Sequence, residues 1–298
     1  MLTLSDSKII EYRDYASEHG IDKAIKKYNL PHETMARYLR AKTLEERLSG
    51  ANILILDIET APLRAFVWQT SVYNANISHK QLISDWFMLS WSAKWLYDCE
   101  VMGSAVTPKE AKKGDDKKIT KQLWMLFNKA DIIIAHNGDK FDLPNCNTRF
   151  ICNGLTPPSP YRTIDTVRIA RKQFGFTYNK LDFLAERLGF GRKLDTDFDL
   201  WVKCLDGDKS ALDRMLEYNK KDVLLLEDVY IKLRGWMNSH PNMNKYQDTL
   251  HCCSHCGSDN VKEKGKYYTQ CNYYTSFVCG DCGAFSRQAS KNRISTAR

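Results

Sequence analysis

Three short stretches of this 298-residue chain carry acids at spacings that could do chemistry. In ANILILDIE, Asp57 and Glu59 stand two residues apart at the end of an apolar run. Strand side chains alternate, so both carboxylates would emerge on one face while the rest of the run stays in a core. In IIIAHNGDKFDLP, Asp142 follows a glycine-containing turn and precedes Pro144 in the first turn of a helix. That position also suits an N-cap, and a carboxylate with four lone-pair sites can cap and bind metal at once. Asn137 and Phe141 flank the turn, offering an amide and an aromatic face. In LEYNKKDVLLLEDVY, Tyr218 and Asp222 are four apart, hence on one helix face in neighbouring turns. Each stretch alone fits ordinary structure: solvated acids, a cap, an amphipathic helix with Leu224, Leu225 and Val229 inward. Together they meet the needs of two-metal phosphodiester cleavage. Two Mg2+ or Mn2+ ions about 3.5–4 Å apart need oxygen ligands from several elements.

A second chemistry lies in the cysteines. Six of the ten crowd between Cys252 and Cys282, and Cys253, Cys256, Cys279 and Cys282 form C-x2-C-x22-C-x2-C. Two such knuckles suit one structural Zn2+ held on a β-ribbon, with residues 266–278 filling the span as strands. Gly257 and Gly283 follow the knuckles, where tight turns need them. Cys252, His251, His255 and Cys271 are alternative ligands, and a redox CxxC is the competing use of the motif.

The elements that would position these residues can be read from hydrophobic pattern. Strands are expected near 53–59, 66–69, 86–95, 100–105 and 131–136, and helices near 117–129, 143–152, 165–173, 181–188 and 209–234. Strands first, then strands mixed with helices, predict an α/β core with one central sheet. Residues 5–41 read as helical, with breaks at 18–20 and 29–31. Ser5 is the candidate N-cap and Gly20 the stop, followed by helices near 22–28 and 32–39. Ile21, Ala24, Ile25, Leu30, Met35 and Leu39 supply a small core. Polar linkers at 43–52 and 237–249 divide the chain into residues 1–45, 51–236 and 250–298.

Charge is unevenly spread. The formal +8 breaks down as nine basic and eight acidic residues in 1–49, 28 and 25 in 50–250, and seven and three in 251–298. The basic tail points to a polyanionic partner, and only the motif resemblance drawn below implies DNA before RNA. Lys264, Lys266, Arg287, Lys291 and Arg293, with Tyr267, Tyr268, Tyr273 and Tyr274, would grip a backbone and stack bases. No run approaches eighteen apolar residues and no signal peptide is visible, so the expectation is a soluble cytoplasmic protein without membrane association; a prokaryotic cell or a phage-infected host is what the motif resemblance below implies.

At this point the acidic motifs can be compared with a family. LDIET, HNGDKFD and YNKKD resemble the three motifs of the DEDDy branch of the DnaQ-like 3′–5′ exonucleases, shared with family B polymerase proofreading domains and YprB-like nucleases. DTVRIARKQFGF, KLDFLAERLGFGRK and LWVKCLDGD look like phage and bacterial members, and the resemblance covers about residues 51–234. It implies an RNase H-like mixed sheet flanked by helices. By the same resemblance, Asp57, Glu59 and Asp222 hold the ion that activates water, and Asp57 bridges to a second ion assisted by Asp142. Tyr218 aims the nucleophile, Thr60, Asn137 and Phe141 contact the terminal nucleotide, and nucleoside 5′-monophosphates leave. CSHCGSDNV and CGDCGAFSR look like zinc-ribbon halves appended to phage and transposon nucleases.

The amino-terminal segment resembles a helix-turn-helix, with His32, Glu33, Thr34, Arg37 and Arg40 on the exposed side of its second helix and Arg37 and Arg40 as substrate contacts. A helical cap or a protein-docking module is the other reading of these residues. Two rivals compete with the exonuclease. One is a transposase or RNA-guided nuclease, which also combines these parts but normally lacks the strand DxE and helical YxxxD. The other is a non-catalytic nucleic-acid binder, which would be expected to have lost an acid.

Overall fold

The computed structural model describes residues 5–43, 46, 50–68, 77–193, 196–246 and 252–288. His251, Lys291, Arg293 and Gln69 lie outside these.

The chain begins with α1 (Asp6–His19), α2 (Ile21–Tyr28) and α3 (His32–Arg40). Ser5 stands at the N-cap of α1, but its hydroxyl meets Ser7 Oγ at 2.9 Å rather than a backbone N–H. Ile9, Tyr12, Ala24 and Met35 are buried between the three helices, and the Tyr12 ring meets Tyr28 edge-on with centroids 4.5 Å apart.

The arginines of α3 are engaged within the protein. Arg40 donates to Asp228 Oδ1 at 2.5 Å, and Arg37 lies 3.9 Å from the other oxygen of the same carboxylate. Asp228 belongs to a core helix and is nearly buried. The amphipathic pattern of α3 was compatible with either side facing out; the buried acid decides it, drawing both guanidiniums inward. Asp228→Ala is expected to cost about 1–2 kcal/mol, between an exposed pair and a fully buried one. Limited proteolysis should then release the first 40 residues faster. Unchanged cleavage would mean that the pairs do not hold the module.

The core sheet is mixed and five-stranded, in the order β5-β4-β1-β6-β7. Its strands are β1 (Ile53–Thr60), β4 (Met88–Trp95), β5 (Met102–Ala105), β6 (Ile132–Ala135) and β7 (Arg162–Asp165). β4 runs antiparallel to β1 and β5, whereas β6 runs parallel to β1 and β7. β2 (Arg64–Ala65) and β3 (Leu82–Ser84) make a separate small pair, in place of the strand expected at 66–69. The helices are α4 (Pro108–Lys113), α5 (Lys117–Phe127), α6 (Asp142–Cys152), α7 (Thr166–Gln173), α8 (Leu181–Arg187), α9 (Phe198–Leu205) and α10 (Lys209–Arg234).

Strand alternation splits the core in two. Leu54, Leu56 and Ile58 join Leu123, Phe127, Cys146 and Phe150 on the α5–α6 side. Ile53 and Ile55 join Val223, Leu226, Val229 and Tyr230 of α10 on the other. Lys94 on β4 is fully buried on the α10 side, where Glu227 neutralises it at 2.5 Å. Among the described residues, no helix is long and apolar enough to cross a membrane.

The C-terminal segment forms a three-stranded antiparallel sheet from β8 (Val261–Tyr268), β9 (Tyr273–Cys279) and β10 (Phe285–Arg287). Arg287 lies between two tyrosine rings, 5.0 Å from the Tyr267 centroid and 4.6 Å from that of Tyr274.

Candidate active site and zinc centre

Where the apolar face of β1 runs out, the carboxylates begin. Ile53 and Ile55 are followed on the same face by Asp57 and Glu59, opposite Ser92 and Ser90 of β4. Two small buried serines there leave room for acids and for α10 above them. A bulge between Glu59 and Thr60 ends the regular pairing.

From α10, Asp222 enters the same space. One carboxylate oxygen from each of Asp57, Glu59 and Asp222 lies within 4.8 Å of the others. Asp222 is almost wholly buried, and its Oδ1 has no hydrogen-bond partner. A buried oxygen without a donor is costly in a finished protein, and a cation is what it lacks. Three carboxylates converging on one point, one with an orphaned oxygen, fit a hard divalent ion such as Mg2+ or Mn2+.

Asp142 reaches β1 from α6 and stands beside, not within, the three-carboxylate cluster. It is the first residue of α6 and makes no N-cap bond to the helix, Phe141 holding the cap position. The capping role is therefore corrected: Asp142 Oδ1 instead accepts the N–H of Ile58 at 3.2 Å, between the two acids of β1. The preceding turn is tight. Asn137 has φ +68, and a Cβ on Gly138 would lie 2.3 Å from that of Ala135. The Asn137 N–H donates to Asp165 Oδ1 at 3.0 Å, tying the turn to β7. Phe141 is 41% exposed, and Thr60 sits half-buried just past the bulge.

The electrostatics follow from crowding. Burial, then Asp142, Asp222 and Glu59, push Asp57 well above the usual carboxylate range. Burial and then Asp222 push Glu59 up to about 8. Burial raises Asp142 to about 7 against the opposing Ile58 N–H. Asp222 is raised by burial and held back by Lys193.

Lys193, outside the acidic motifs, and Asn219, within YNKKD, complete the cluster. Lys193 Nζ pairs with Asp222 Oδ2 at 2.5 Å and lies 3.5 Å from the Tyr218 hydroxyl. Asn219 Nδ2 donates to Asp57 Oδ2 at 2.5 Å while its own oxygen accepts from Ser90 Oγ at 3.4 Å. Helical spacing could have flagged Asn219, three residues before Asp222; Lys193 stands in a loop and gives no local signal. Tyr218 stands one turn before Asp222 and shares Lys193 with it, and burial pushes its phenol up to about 12, so it stays protonated at neutral pH.

These shifts carry a stability consequence. Unfolded carboxylates titrate near 4, whereas Asp142 and Glu59 here titrate at about 7 and about 8. Between those values the folded protein holds protons that the unfolded chain has lost, so metal-free stability falls as pH rises from about 4 to about 8. Glu59→Gln is expected to raise the metal-free Tm at pH 8 and to flatten its fall with pH. Parallel curves for variant and wild type would contradict this.

In the tail, the Sγ atoms of Cys253, Cys256, Cys279 and Cys282 all lie within 4.8 Å of one another. Two of the separations are 3.5 Å (Cys253–Cys282) and 3.6 Å (Cys256–Cys279). A tetrahedral Zn2+ with bonds of about 2.3 Å needs sulfurs about 3.8 Å apart, so the set fits. Gly257 and Gly283 behind the knuckles have φ +77 and +71. The alternative ligands are elsewhere: Cys271 is exposed in the β8–β9 turn, Cys252 contacts Asn244, and the His255 ring bonds Ser254 Oγ and the Met237 carbonyl.

Residues 99–234 match the family model RNase_H_2, described as RNase_H superfamily. That span contains Asp142, Tyr218 and Asp222, and begins after Asp57 and Glu59. The matched span is under half of the chain; the five-stranded mixed sheet flanked by helices is RNase H-like in fold. No curated protein matches the chain. Among the solved structures similar to it is the family B DNA polymerase from the hyperthermophilic archaeon Pyrobaculum calidifontis, at 13% identity and a TM-score of 0.45. That match covers 62% of this chain and 25% of the polymerase chain, so this chain spans about a quarter of its length.

Proposed function

We propose that the protein is a metal-dependent 3′–5′ exonuclease that removes nucleoside 5′-monophosphates from DNA. The observation that carries this reading is the convergence of Asp57, Glu59 and Asp222 with the orphaned Asp222 oxygen among them, and the Tyr218 hydroxyl 3.5 Å from the Lys193 ammonium that pairs with Asp222. Exonuclease action and 3′ polarity come from the resemblance of LDIET, HNGDKFD and YNKKD to the DEDDy motifs. Asp57, Glu59 and Asp222 would hold Mg2+ or Mn2+, with Asp57 and Asp142 the residues available to a second ion, and the metal would supply water activation and charge neutralisation at the scissile phosphate.

The chain's own residues divide the remaining work. Tyr218 keeps its proton and acts as a hydroxyl that orients the nucleophile rather than as a base. Lys193 offsets negative charge at Asp222 and presents an ammonium to phosphate oxygens. Asn219 fixes the Asp57 carboxylate by its amide. Phe141, half out of the surface beside Asp142, offers a ring for the terminal base. The exposed tyrosines and cations of the ribbon provide a sequence-independent grip on the strand.

Full-length protein with Mg2+ or Mn2+, given 5′-labelled and 3′-labelled DNA and RNA oligonucleotides, tests the reading. A descending ladder from the 5′ label, with immediate mononucleotide from the 3′ label, is expected on DNA. Purely internal cuts, or mononucleotide from the 5′ label first, would overturn it.

A further inference from the structure

The last turn of α10 runs into the cysteine knuckles. Gly235 follows Arg234, and a Cβ there would sit 2.2 Å from the carbonyl oxygen of Cys282, so the helix end and the second knuckle are in backbone contact. The first knuckle is held as well. His255 Nε2 meets the Met237 carbonyl at 2.7 Å, and the Met243 N–H donates to the Ser254 carbonyl at 2.9 Å.

At this junction lies a buried charge that no carboxylate pairs with directly among the described residues. Arg234 is only 5% exposed. Its Nη1 donates to the Tyr97 hydroxyl, its Nε is buried with no hydrogen-bond partner, and among the described residues no carboxylate pairs with it. The other buried cation of the core, Lys94, has Glu227. Removing a guanidinium from water without an opposite charge costs several kcal/mol, so an anion is expected nearby. Arg234, Tyr97, Tyr230, Lys42, Glu46 and Cys256 line a single cavity of about 230 Å3, in which the Glu46 carboxylate is already paired with Arg13. Four thiolates around one Zn2+ carry a formal excess of two negative charges. That excess negative charge reaches the Arg234 cavity through Cys256.

We propose that Arg234 is the counter-charge of the zinc–tetrathiolate centre formed by Cys253, Cys256, Cys279 and Cys282, and that zinc there clamps the C-terminal end of the helix bearing Tyr218 and Asp222. Arg234 is a positioning residue in this scheme. It rests on the zinc assignment and not on the exonuclease reading, and neither measurement below involves cleavage.

Zinc affinity of the full chain is measured by competition with a chromophoric chelator. Arg234→Met should weaken binding about 10–100-fold, the usual cost of losing a partner outside the ligand shell, whereas Arg234→Lys should stay within about threefold of wild type. Equal affinity of the Met variant and wild type overturns the proposal, as does equal weakening by Lys and Met. A second measurement needs no variant. In wild-type protein, zinc removal should speed amide exchange of residues 229–234 at least tenfold while leaving β1 and β6 unchanged. Unaltered exchange in that last turn and a half overturns the clamp.

Discussion

Asp222→Ala is expected to lower the cleavage rate by about 10³–10⁴-fold, roughly 4–6 kcal/mol of barrier, the largest effect of any single substitution in the protein. Asp222 is the acid with the most to lose. It is the innermost of the three converging carboxylates, its Oδ1 has no protein donor, and its Oδ2 is the partner of Lys193. Truncation therefore removes a metal ligand and leaves an ammonium facing the site without its counter-ion. The circular dichroism spectrum should be retained, because Val223, Leu226 and Val229 continue to seat α10 on the sheet. Calorimetry should show Mn2+ binding lost along with activity. A variant within tenfold of wild type would remove Asp222 from the metal site.

Tyr218→Phe should lower kcat by about 10²-fold with KM nearly unchanged, the pattern for a contact made in the transition state alone. The ring remains packed edge-on against Trp201, with centroids 6.4 Å apart, so the fold should be indifferent to the change. The pH–rate profile discriminates further. A phenol held at about 12 does not titrate in the working range, so the residual activity of the Phe variant should keep both limbs of the wild-type profile. Loss of the acidic limb would instead make Tyr218 a proton carrier, and equal activity of variant and wild type would leave it without a role.

How much of this was legible in the sequence depends on how far apart the cooperating residues lie. Asp57 and Glu59 could be placed on one face because the strand period is two and the preceding ILIL run has to be buried. Tyr218 and Asp222 could be placed together by helical spacing, and the ends of α10 coincide with the expected 209–234. Lys193 could not be placed, since it reaches Asp222 across 29 residues by a path that only the packed fold defines. Arg37 and Arg40 show the reverse difficulty. An amphipathic helix states which residues are polar, not whether a buried acid awaits them, and Asp228 reads from sequence as one more charge on a surface helix. β7 escaped notice because RTID is short and half polar, although it closes the sheet beside Asp165. α9 was hidden by its own acids, Asp197 at the cap and Asp199 in the first turn, which read as loop.

The changeover on β1 from Ile55 to Asp57 has a consequence for how this protein can change over generations. Core and chemistry are interleaved on one eight-residue strand, with Leu56 and Ile58 on the face opposite the acids. A one-residue slip would exchange the two faces, burying both carboxylates against Phe127 and Phe150 and presenting leucines to the substrate. Point substitutions at Leu54 or Ile58 can be absorbed by repacking, but insertion or deletion of one codon within 53–58 cannot. Homologues should therefore vary in composition along this strand while never varying in its length, and designed libraries that randomise residues here will succeed where those that shift the reading of the strand by one position fail.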